Sequence, residues 1–500
     1  MSRSLLQRNI IANFAGKAWI SVMGLAFIPL YIKFMGIESY GLIGIFVSLS
    51  ALISLLDLGL SSTLSRQLAI LSISPDNAQE SRDLVRTLET LFWAAGCIIS
   101  VVVAALAPLV AHYWITSQAI PRNTVQQALT IMGLVIAVQW PSSLYDGGLV
   151  GMQRQELLNG IRSIMATFQH AGAVLILWLV SPTILAYFTW QIFTNLVQTT
   201  LLAYAVRTSL PSAPLPGSFR AALLKKNWKF AAGMTGISVL SIVLMQTDKI
   251  ILSRLLPLTV FGYYMLAFNL ASVLTYFMSP FFLSFYPRFS QLVADHAGIV
   301  AIADLYHKSC QLVSAAIFPV AGIIIFYARE ILLLWTRDTV IVANTSALLS
   351  IMTIGSLFNA VMILPFTLQL AHGWTKLSFY KNIIAVIVLI PLMIAMTIKF
   401  GAMGAAIVWI ILNMGYFFLE VPVMHSRLLK HEMWQWYKRD AGVPFVLAMC
   451  LSALSHTLMP HTSSPYFLAM WILLSGSVAF TMTALSMPHI SSWLKKGMIP

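Results

Sequence analysis

Residues 88–113 read LETLFWAAGCIISVVVAALAPLVAHY, and the stretch from Leu91 to Ala111 contains no charged side chain. A helix needs about 20 mostly apolar residues to cross the hydrocarbon core of a bilayer. Similar apolar runs occur throughout the chain, at 10–33, 41–65, 124–150, 159–180, 184–206, 228–253, 259–285, 309–335, 342–370, 378–398, 403–424, 442–460 and 466–487. We therefore predict an all-α polytopic membrane protein with about 14 transmembrane helices.

The composition of the whole chain supports this class and excludes others. Hydrophobic residues make up 59% of the 500 residues and charged residues 9%, whereas soluble domains average about 45–50% and about 25%. The mean hydropathy is +0.84. These values exclude a nucleic-acid-binding domain and a large soluble catalytic domain. Cys97, Cys310 and Cys450 are far apart, so the sequence predicts neither a zinc site nor a redox pair.

Lysine and arginine are distributed unequally between alternate loops. If the N-terminus is cytoplasmic, 22 of the 30 Lys and Arg residues fall in cytoplasmic segments and 7 on the opposite side, with Lys17 inside the first span. Cytoplasmic loops of membrane proteins carry this excess. We expect both termini in the cytoplasm, and topology then explains much of the net charge of +14.

Two short motifs occur twice with nearly the same offset. Residues 33–41 (KFMGIESYG) and 254–262 (RLLPLTVFG) share one pattern, and residues 151–157 (GMQRQEL) and 373–379 (GWTKLSF) share another. The offsets of 221 and 222 residues predict two parallel six-helix halves around a polar lumen, at 1–210 and 211–430. Residues 431–500 would form a terminal two-helix extension.

Polar residues recur at helical spacing inside five of the predicted spans. Such stripes mark helix faces that point away from lipid. Their members are Asn9, Asn13, Lys17 and Ser21; Ser50, Ser54, Asp57, Ser61 and Ser65; Gln139, Ser143 and Asp146; Thr235, Ser238, Ser241 and Asp248; and Asn269, Ser272, Tyr276 and Ser279. They predict one polar cavity between the halves. The alternative is that these hydroxyl groups bond to their own backbone or join helices.

The ionisable residues of these stripes are the candidate substrate-binding residues. Lys17, the one cation well inside a predicted span, would bind an anionic headgroup, with Asp57 controlling the charge of Lys17 or the gate. Alternatively, the two form an ion pair that only aligns helices. Lys249 would extend to the interface or, like its neighbour Asp248, line the lumen. Asp146 and Arg288 lie at cytoplasmic ends of spans, where a solvated cap competes with a site.

The sequence contains no nucleophile, metal-binding or phosphate-loop motif. We therefore expect a transporter, not an enzyme, with no cofactor and no ATP hydrolysis by this chain. The transmembrane potential or an H+ or Na+ gradient would drive the cycle, and Asp57 and Asp146 are the candidates for ion coupling.

Several stretches together resemble a known family. Residues 33–41 followed by 56–60 (LDLGL), then 149–154 (LVGMQR), Pro280 to Arg288, and 401–409 (GAMGAAIVW) resemble the Wzx-type O-antigen flippases. These belong to the multidrug/oligosaccharidyl-lipid/polysaccharide exporter superfamily. The resemblance implies alternating access by two six-helix halves in the bacterial inner membrane. It also implies an undecaprenyl-diphosphate-linked oligosaccharide as substrate, with a polysaccharide polymerase and assembly proteins as partners.

Two other interpretations of the sequence stay open. A small-molecule/cation antiporter of the same superfamily would carry paired carboxylates deep in one half. Asp57 and Asp146 are present, but neither is predicted at mid-membrane depth. An integral-membrane glycosyltransferase or polymerase usually carries a large periplasmic loop, and the longest loop here spans about 25 residues.

Overall fold

A computed structural model describes residues 3–71, 77–295, 298–460 and 464–490. Side chains are described in these ranges except at 3–11, 225–241 and 279. Within those ranges the chain forms helices and no strand, which confirms the all-α prediction. The chain divides into two compact units, Met1–Gly262 and Tyr263–Pro500. The halves predicted at 1–210 and 211–430 stay a prediction.

The helices of the first unit follow one another with short connections. They are α1 (Arg3–Ala26), α2 (Ile28–Ile53), α3 (Leu60–Leu71), α4 (Ala78–Tyr113), α5 (Arg122–Gln139), α6 (Pro141–Gly151), α7 (Gln155–Leu179), α8 (Ile184–Ser209) and α9 (Ala221–Leu255). A 3-10 turn at Ser54–Asp57 follows α2. Helix α10 (Leu258–Ala271) begins in this unit.

The second unit contains the remaining helices. They are α11 (Val273–Ala294), α12 (Ile299–Phe326), α13 (Ala328–Thr336), α14 (Thr339–Val361), α15 (Ile363–Ala371), α16 (Lys376–Gly415), α17 (Val421–Leu428), α18 (Met433–Gln435), α19 (Val443–Thr457) and α20 (Pro465–Leu485). Two π-helical segments, Tyr416–Glu420 and Trp436–Gly442, precede α17 and α19.

Nine helical segments within the described ranges are long and apolar enough to cross a membrane. One of them, Lys376–Leu428, runs through a break at Gly401, where φ is +61°. The predicted division of residues 159–206 is confirmed, because α7 and α8 are separate helices. The count of about 14 spans stays a prediction.

The predicted second span is not one continuous helix. The sequence predicts a helix over 41–65, but the chain is interrupted at Leu58 and Gly59, where φ is +48° and +74°. Left-handed backbone costs an L-residue such as Leu58 energy, while Gly59 adopts it freely. The prediction of an unbroken span was therefore wrong, and α3 continues to Leu71.

The two copies of the first motif contact each other reciprocally. A β-carbon on Gly41 would lie 2.8 Å from the carbonyl oxygen of Leu258, and one on Gly262 would lie 2.4 Å from that of Ile37. Gly41 and Gly262 are 221 positions apart, as are Ile37 and Leu258. Such reciprocity is what a two-fold relation produces, and it supports the internal repeat within residues 1–262.

Each unit has its own apolar core. In the first, α3, α4, α6 and α8 enclose a cluster that includes Leu64, Phe92 and Leu202. In the second, the core around α12 includes Trp436, which is 1% exposed. Helix α19 also forms a hydrogen bond with Tyr327, the residue that follows α12. The Tyr327 hydroxyl lies 3.0 Å from Ser455 Oγ. The terminal helices are thus packed into the second unit.

Candidate functional site

A close crossing of α3 and α6 builds the polar region of the first unit. A β-carbon on Gly147 would lie 2.3 Å from the carbonyl oxygen of Ser61, and one on Gly151 would lie 2.3 Å from that of Ser65. Small residues at four-residue spacing let membrane helices approach this closely. The crossing brings the polar face of α3 onto that of α6.

Asp57 lies at the interruption that precedes α3. Its Oδ1 atom accepts hydrogen bonds from the Ser61 backbone N–H at 3.1 Å and the Ser61 hydroxyl at 3.0 Å. A carboxylate at a helix N-terminus satisfies otherwise unpaired N–H groups and interacts favourably with the helix dipole. Ser61 Oγ also lies 3.4 Å from Ser143 Oγ on α6.

Asp146, one turn further along α6, forms an ion pair with Arg162 of α7. The guanidinium group contacts both carboxylate oxygens and reaches Ser142 Oγ at 3.4 Å. The side chains of Arg162 and Asp146 are 25% and 32% exposed. We call Asp57, Ser61, Ser142, Ser143, Asp146 and Arg162 the Asp57–Arg162 cluster.

Arg162 lies further inside its helix than the predicted span implies. Helix α7 begins at Gln155, four residues before the predicted start, so Arg162 lies about two turns inside it. Hydropathy assigns the Gln-Glu pair at 155–156 to a loop, although polar residues are common in the first turn of a helix. A helix start at this pair is the sequence signal that places Arg162 about two turns inside α7.

Asn13 joins α1 to α7 and is part of the packing between these helices. Its amide bonds to Gln155 Oε1 at 2.5 Å and accepts from Asn159 Nδ2 at 2.6 Å. A β-carbon on Gly16 would lie 2.8 Å from Asn159 Oδ1. Asn13 is thus occupied by helix–helix bonding in this conformation.

Lys17 is exposed on α1, next to the contact between Gly16 and Asn159. Arg162 lies about one turn beyond Asn159 on α7, so the two cations occur at neighbouring levels of packed helices. Both Lys17 and Asp57 have described side chains, and no ion pair joins them in this structure. The purely structural alternative for this pair is not observed.

Asp248 and Lys249 pair with each other although they are adjacent in sequence. Lys249 Nζ lies 3.0 Å from both carboxylate oxygens of Asp248 and 2.7 Å from the carbonyl oxygen of Met245. Lys249 is 4% exposed. The alternative that Lys249 extends to the interface is therefore wrong, because its ammonium group is held inside the protein by these acceptors.

The other predicted residues divide between exposed positions and local bonds. Arg288 on α11 is exposed, as is Tyr276. Several stripe hydroxyl groups bond to the preceding helical turn, as the structural alternative predicts; these are Ser21, Ser54 and Ser272. The side chains of Asn9, Thr235, Ser238, Ser241 and Ser279 lie outside the described residues. A cavity between the halves stays a prediction.

Two buried carboxylates were not among the predicted binding residues, although Glu420, with Asn413, marks a polar stripe in the predicted span 403–424. Glu38, 6% exposed, accepts hydrogen bonds from the backbone N–H groups of Gln118 at 3.1 Å and Ala119 at 2.9 Å, and from Thr259 Oγ1 at 2.7 Å. It lies inside the first motif, at a position that the two copies of the motif do not share. Glu420 in the second unit pairs with Lys381.

Chemically, the Asp57–Arg162 cluster combines a partly exposed guanidinium group with serine hydroxyl groups and two carboxylates. A guanidinium group presents paired donors that match phosphate oxygens. Hydroxyl and amide groups suit sugar hydroxyl groups. Because ionisable residues within or at the ends of spans mark functional sites, the cluster is a candidate substrate site.

Comparisons with known proteins agree with one family. Residues 6–293, more than half of the chain, match the family described as "Polysaccharide biosynthesis protein". The chain is 22% identical over 402 residues to a candidate O-antigen transporter of Shigella flexneri, covering 80% of this chain and 93% of that protein.

Solved structures of two transporter types share the fold. The lipid II flippase MurJ in an inward closed conformation matches with a TM-score of 0.70 and 14% identity, over 98% of this chain and 99% of that one. An inward-facing multidrug resistance MATE transporter of the MOP superfamily matches with a TM-score of 0.67 and 11% identity, over 82% and 94% of the two chains.

Proposed function

The chain belongs to the polysaccharide biosynthesis protein family within the multidrug/oligosaccharidyl-lipid/polysaccharide exporter superfamily, and from this we propose that it flips undecaprenyl-diphosphate-linked oligosaccharides across the bacterial inner membrane. The product would supply O-antigen or another surface polysaccharide. Alternating access, with both termini in the cytoplasm, would carry the headgroup across.

The observation that carries the proposal is the Asp57–Arg162 cluster. A diphosphate with attached sugars cannot enter hydrocarbon without losing its hydration, which is strongly unfavourable. Arg162 places a guanidinium group, 25% exposed, about two turns inside α7, whose last nine residues are entirely apolar. Lys17 on the packed helix α1 would add a second positive charge for the diphosphate.

The lipid and the membrane supply the rest of the substrate contacts. The polyprenyl tail can stay in the bilayer while the headgroup moves, because the helices expose large apolar side chains such as Ile98, Val101 and Leu473. On the far side, a polysaccharide polymerase and assembly proteins would take up the product. The charge distribution between loops supports the proposed orientation.

The test is to delete the gene and measure lipid-linked oligosaccharide on each face of the inner membrane. We expect accumulation on the cytoplasmic face and loss of surface glycan, both restored by the wild-type gene. Arg162→Ala should fail to restore them, and Arg162→Lys should restore them partly because the charge remains without the paired donors. Arg329→Ala, an exposed arginine of α13 outside the cluster, is the matched control.

The fold shared with a multidrug transporter makes antiport of small molecules the competing function. If the deletion leaves surface glycan and lipid-linked oligosaccharide unchanged but alters resistance to cationic drugs, the flippase proposal is refuted and antiport takes its place.

A further inference from the structure

Buried carboxylates in the described part of the chain differ in what neutralises them. Four bind backbone N–H groups, arginine or histidine: Glu38 binds backbone N–H groups, Asp83 and Glu89 bind arginines, and Asp440 binds His307. Asp248 binds the adjacent Lys249. Glu420 binds Lys381, which lies in the part of α16 before the break at Gly401, whereas Glu420 follows the part after it. A lysine holds its partner through one ammonium group on a flexible stem, unlike the forked guanidinium groups that bind Asp83 and Glu89.

We propose that Glu420 is a proton-exchange site, at which the Lys381 ammonium group and a proton alternate as partners of the carboxylate. In this conformation the ammonium group is in place. Lys381 Nζ lies 2.6 Å from Glu420 Oε2 and 4.4 Å from the centre of the Tyr416 ring. The aromatic ring and the carboxylate together hold the cation.

Departure of Lys381 would leave Glu420 with an uncompensated charge. Glu420 is 4% exposed, and an ion buried at this level is strongly unfavourable without a partner. Uptake of one proton from the aqueous phase by the carboxylate removes the charge. The return of Lys381 requires release of that proton, so the two events exclude each other.

Gln369 can bond to either form of Glu420. Its Nε2 atom donates to Glu420 Oε1 at 2.8 Å, while its own Oε1 atom is buried without a hydrogen-bond partner. An amide offers a donor at one end and an acceptor at the other. After a half-turn of the amide, Gln369 Oε1 would accept the hydrogen bond that a protonated Glu420 donates. The unsatisfied acceptor thus has a use in the second state.

The local backbone provides a means of moving Glu420 relative to Lys381. Glu420 is the last residue of the π-helical segment Tyr416–Glu420, and such segments occur frequently at functional sites. A change from π-helical to α-helical hydrogen bonding would rotate the carboxylate away from the part of α16 that precedes Gly401. Lys381 would then be released without unfolding of either helix.

The other titratable groups near this segment have separate partners. Tyr416 interacts electrostatically with Glu420, and its hydroxyl lies 3.3 Å from Asn382 Oδ1. On α17, His425 bonds to the Val421 carbonyl oxygen and Arg427 stacks on Trp374. From α15 the facing group is the amide of Gln369. Lys381 is therefore the charged group that governs Glu420.

If the chain is the flippase proposed above, this exchange couples its cycle to a proton gradient. The first test needs no lipid-linked substrate. Its outcome for Glu420 therefore does not depend on whether the chain is a flippase. Infrared spectra of the purified full-length protein should show the band of a protonated carboxyl group in Lys381→Met at neutral pH, equivalent to one proton per molecule. The wild type and Lys381→Arg should lack it, and the double variant Lys381→Met/Glu420→Gln should lose it.

A second lysine–carboxylate pair serves as the control. Lys308 Nζ lies 2.5 Å from Asp304 Oδ2, but the Asp304 side chain is 49% exposed. Lys308→Met should therefore produce no protonated carboxyl band, because water stabilises the ionised carboxylate. If Lys381→Met, like Lys308→Met, shows no band of a protonated carboxyl group, proton exchange at Glu420 is refuted.

Two further measurements complete the test. If Lys381→Met does not accumulate as folded protein, spectra of the wild type at low and neutral pH still test the proposal. A protonated carboxyl band that appears at low pH and is removed by Glu420→Gln supports it. The absence of that band overturns it. In proteoliposomes, an imposed pH gradient should change the flipping rate of wild type but not of Glu420→Gln. Equal responses of the two proteins would refute the coupling.

Discussion

Gly147→Ala should destabilise the crossing on which the Asp57–Arg162 cluster depends. The added β-carbon would lie 2.3 Å from the Ser61 carbonyl oxygen, and ordinary contacts begin at 3.4 Å. Helices α3 and α6 would have to separate by about 1 Å, and overpacking of this kind costs about 1–3 kcal/mol. The 3.4 Å contact between Ser61 Oγ and Ser143 Oγ would be lost.

The matched control is Gly160→Ala on α7. A β-carbon on Gly160 would meet no other atom within 4 Å. Both glycines lie inside helices, where replacement by alanine gains about 0.5–1 kcal/mol from backbone entropy. That gain cancels in the comparison, so the difference between the variants measures the steric cost alone.

The assay is unfolding of the two variants in detergent micelles by increasing denaturant, followed by circular dichroism. We expect Gly147→Ala to be less stable than Gly160→Ala by about 1–3 kcal/mol, and to flip substrate more slowly. Equal free energies of unfolding would refute the tight α3–α6 crossing and with it the geometry of the cluster.

Three further predictions concern single positions. Lys17→Ala should slow the flipping of lipid-linked oligosaccharide while Lys17→Arg keeps most of it; normal rates for both would end the headgroup role of Lys17. Glu38→Gln should weaken hydrogen bonds that contribute about 2 kcal/mol each and speed deuterium exchange at the amide of Ala119; unchanged exchange would contradict the contact seen here. Gly262→Ala should destabilise more than Gly41→Ala, because the clash distances are 2.4 Å and 2.8 Å; the reverse order by thermal unfolding would argue against the reciprocal contact.

The sequence predicts the helical class and many helix positions because apolar length is a direct requirement of the bilayer. The division between α7 and α8, for example, falls at the Ser-Pro-Thr stretch before Ile184. The left-handed conformation at Leu58 has no such signal, since leucine is otherwise an ordinary helix residue. A hydropathy profile therefore does not detect the interruption at Leu58 and Gly59.

The partners of charged residues were harder to predict than their positions. Asp146 and Arg162 are both visible in the sequence, but their ion pair depends on how α6 packs on α7. Lys249 is expected either at the interface, because it lies near a predicted span end, or in the lumen, whereas its ammonium group is buried against Asp248. Spacing along one helix indicates a shared face, but it does not identify the group on the neighbouring helix.

The central claim is tested most directly by reconstitution. Purified protein would be placed in vesicles that carry undecaprenyl-diphosphate-linked oligosaccharide isolated from the deletion strain, and a glycan-cleaving enzyme outside would report the accessible fraction over time. We predict that lipid initially confined to the inner leaflet becomes accessible with wild-type protein and stays protected with Arg162→Ala. Protection that persists with wild-type protein, in vesicles where the protein is folded, would contradict the proposed flippase function.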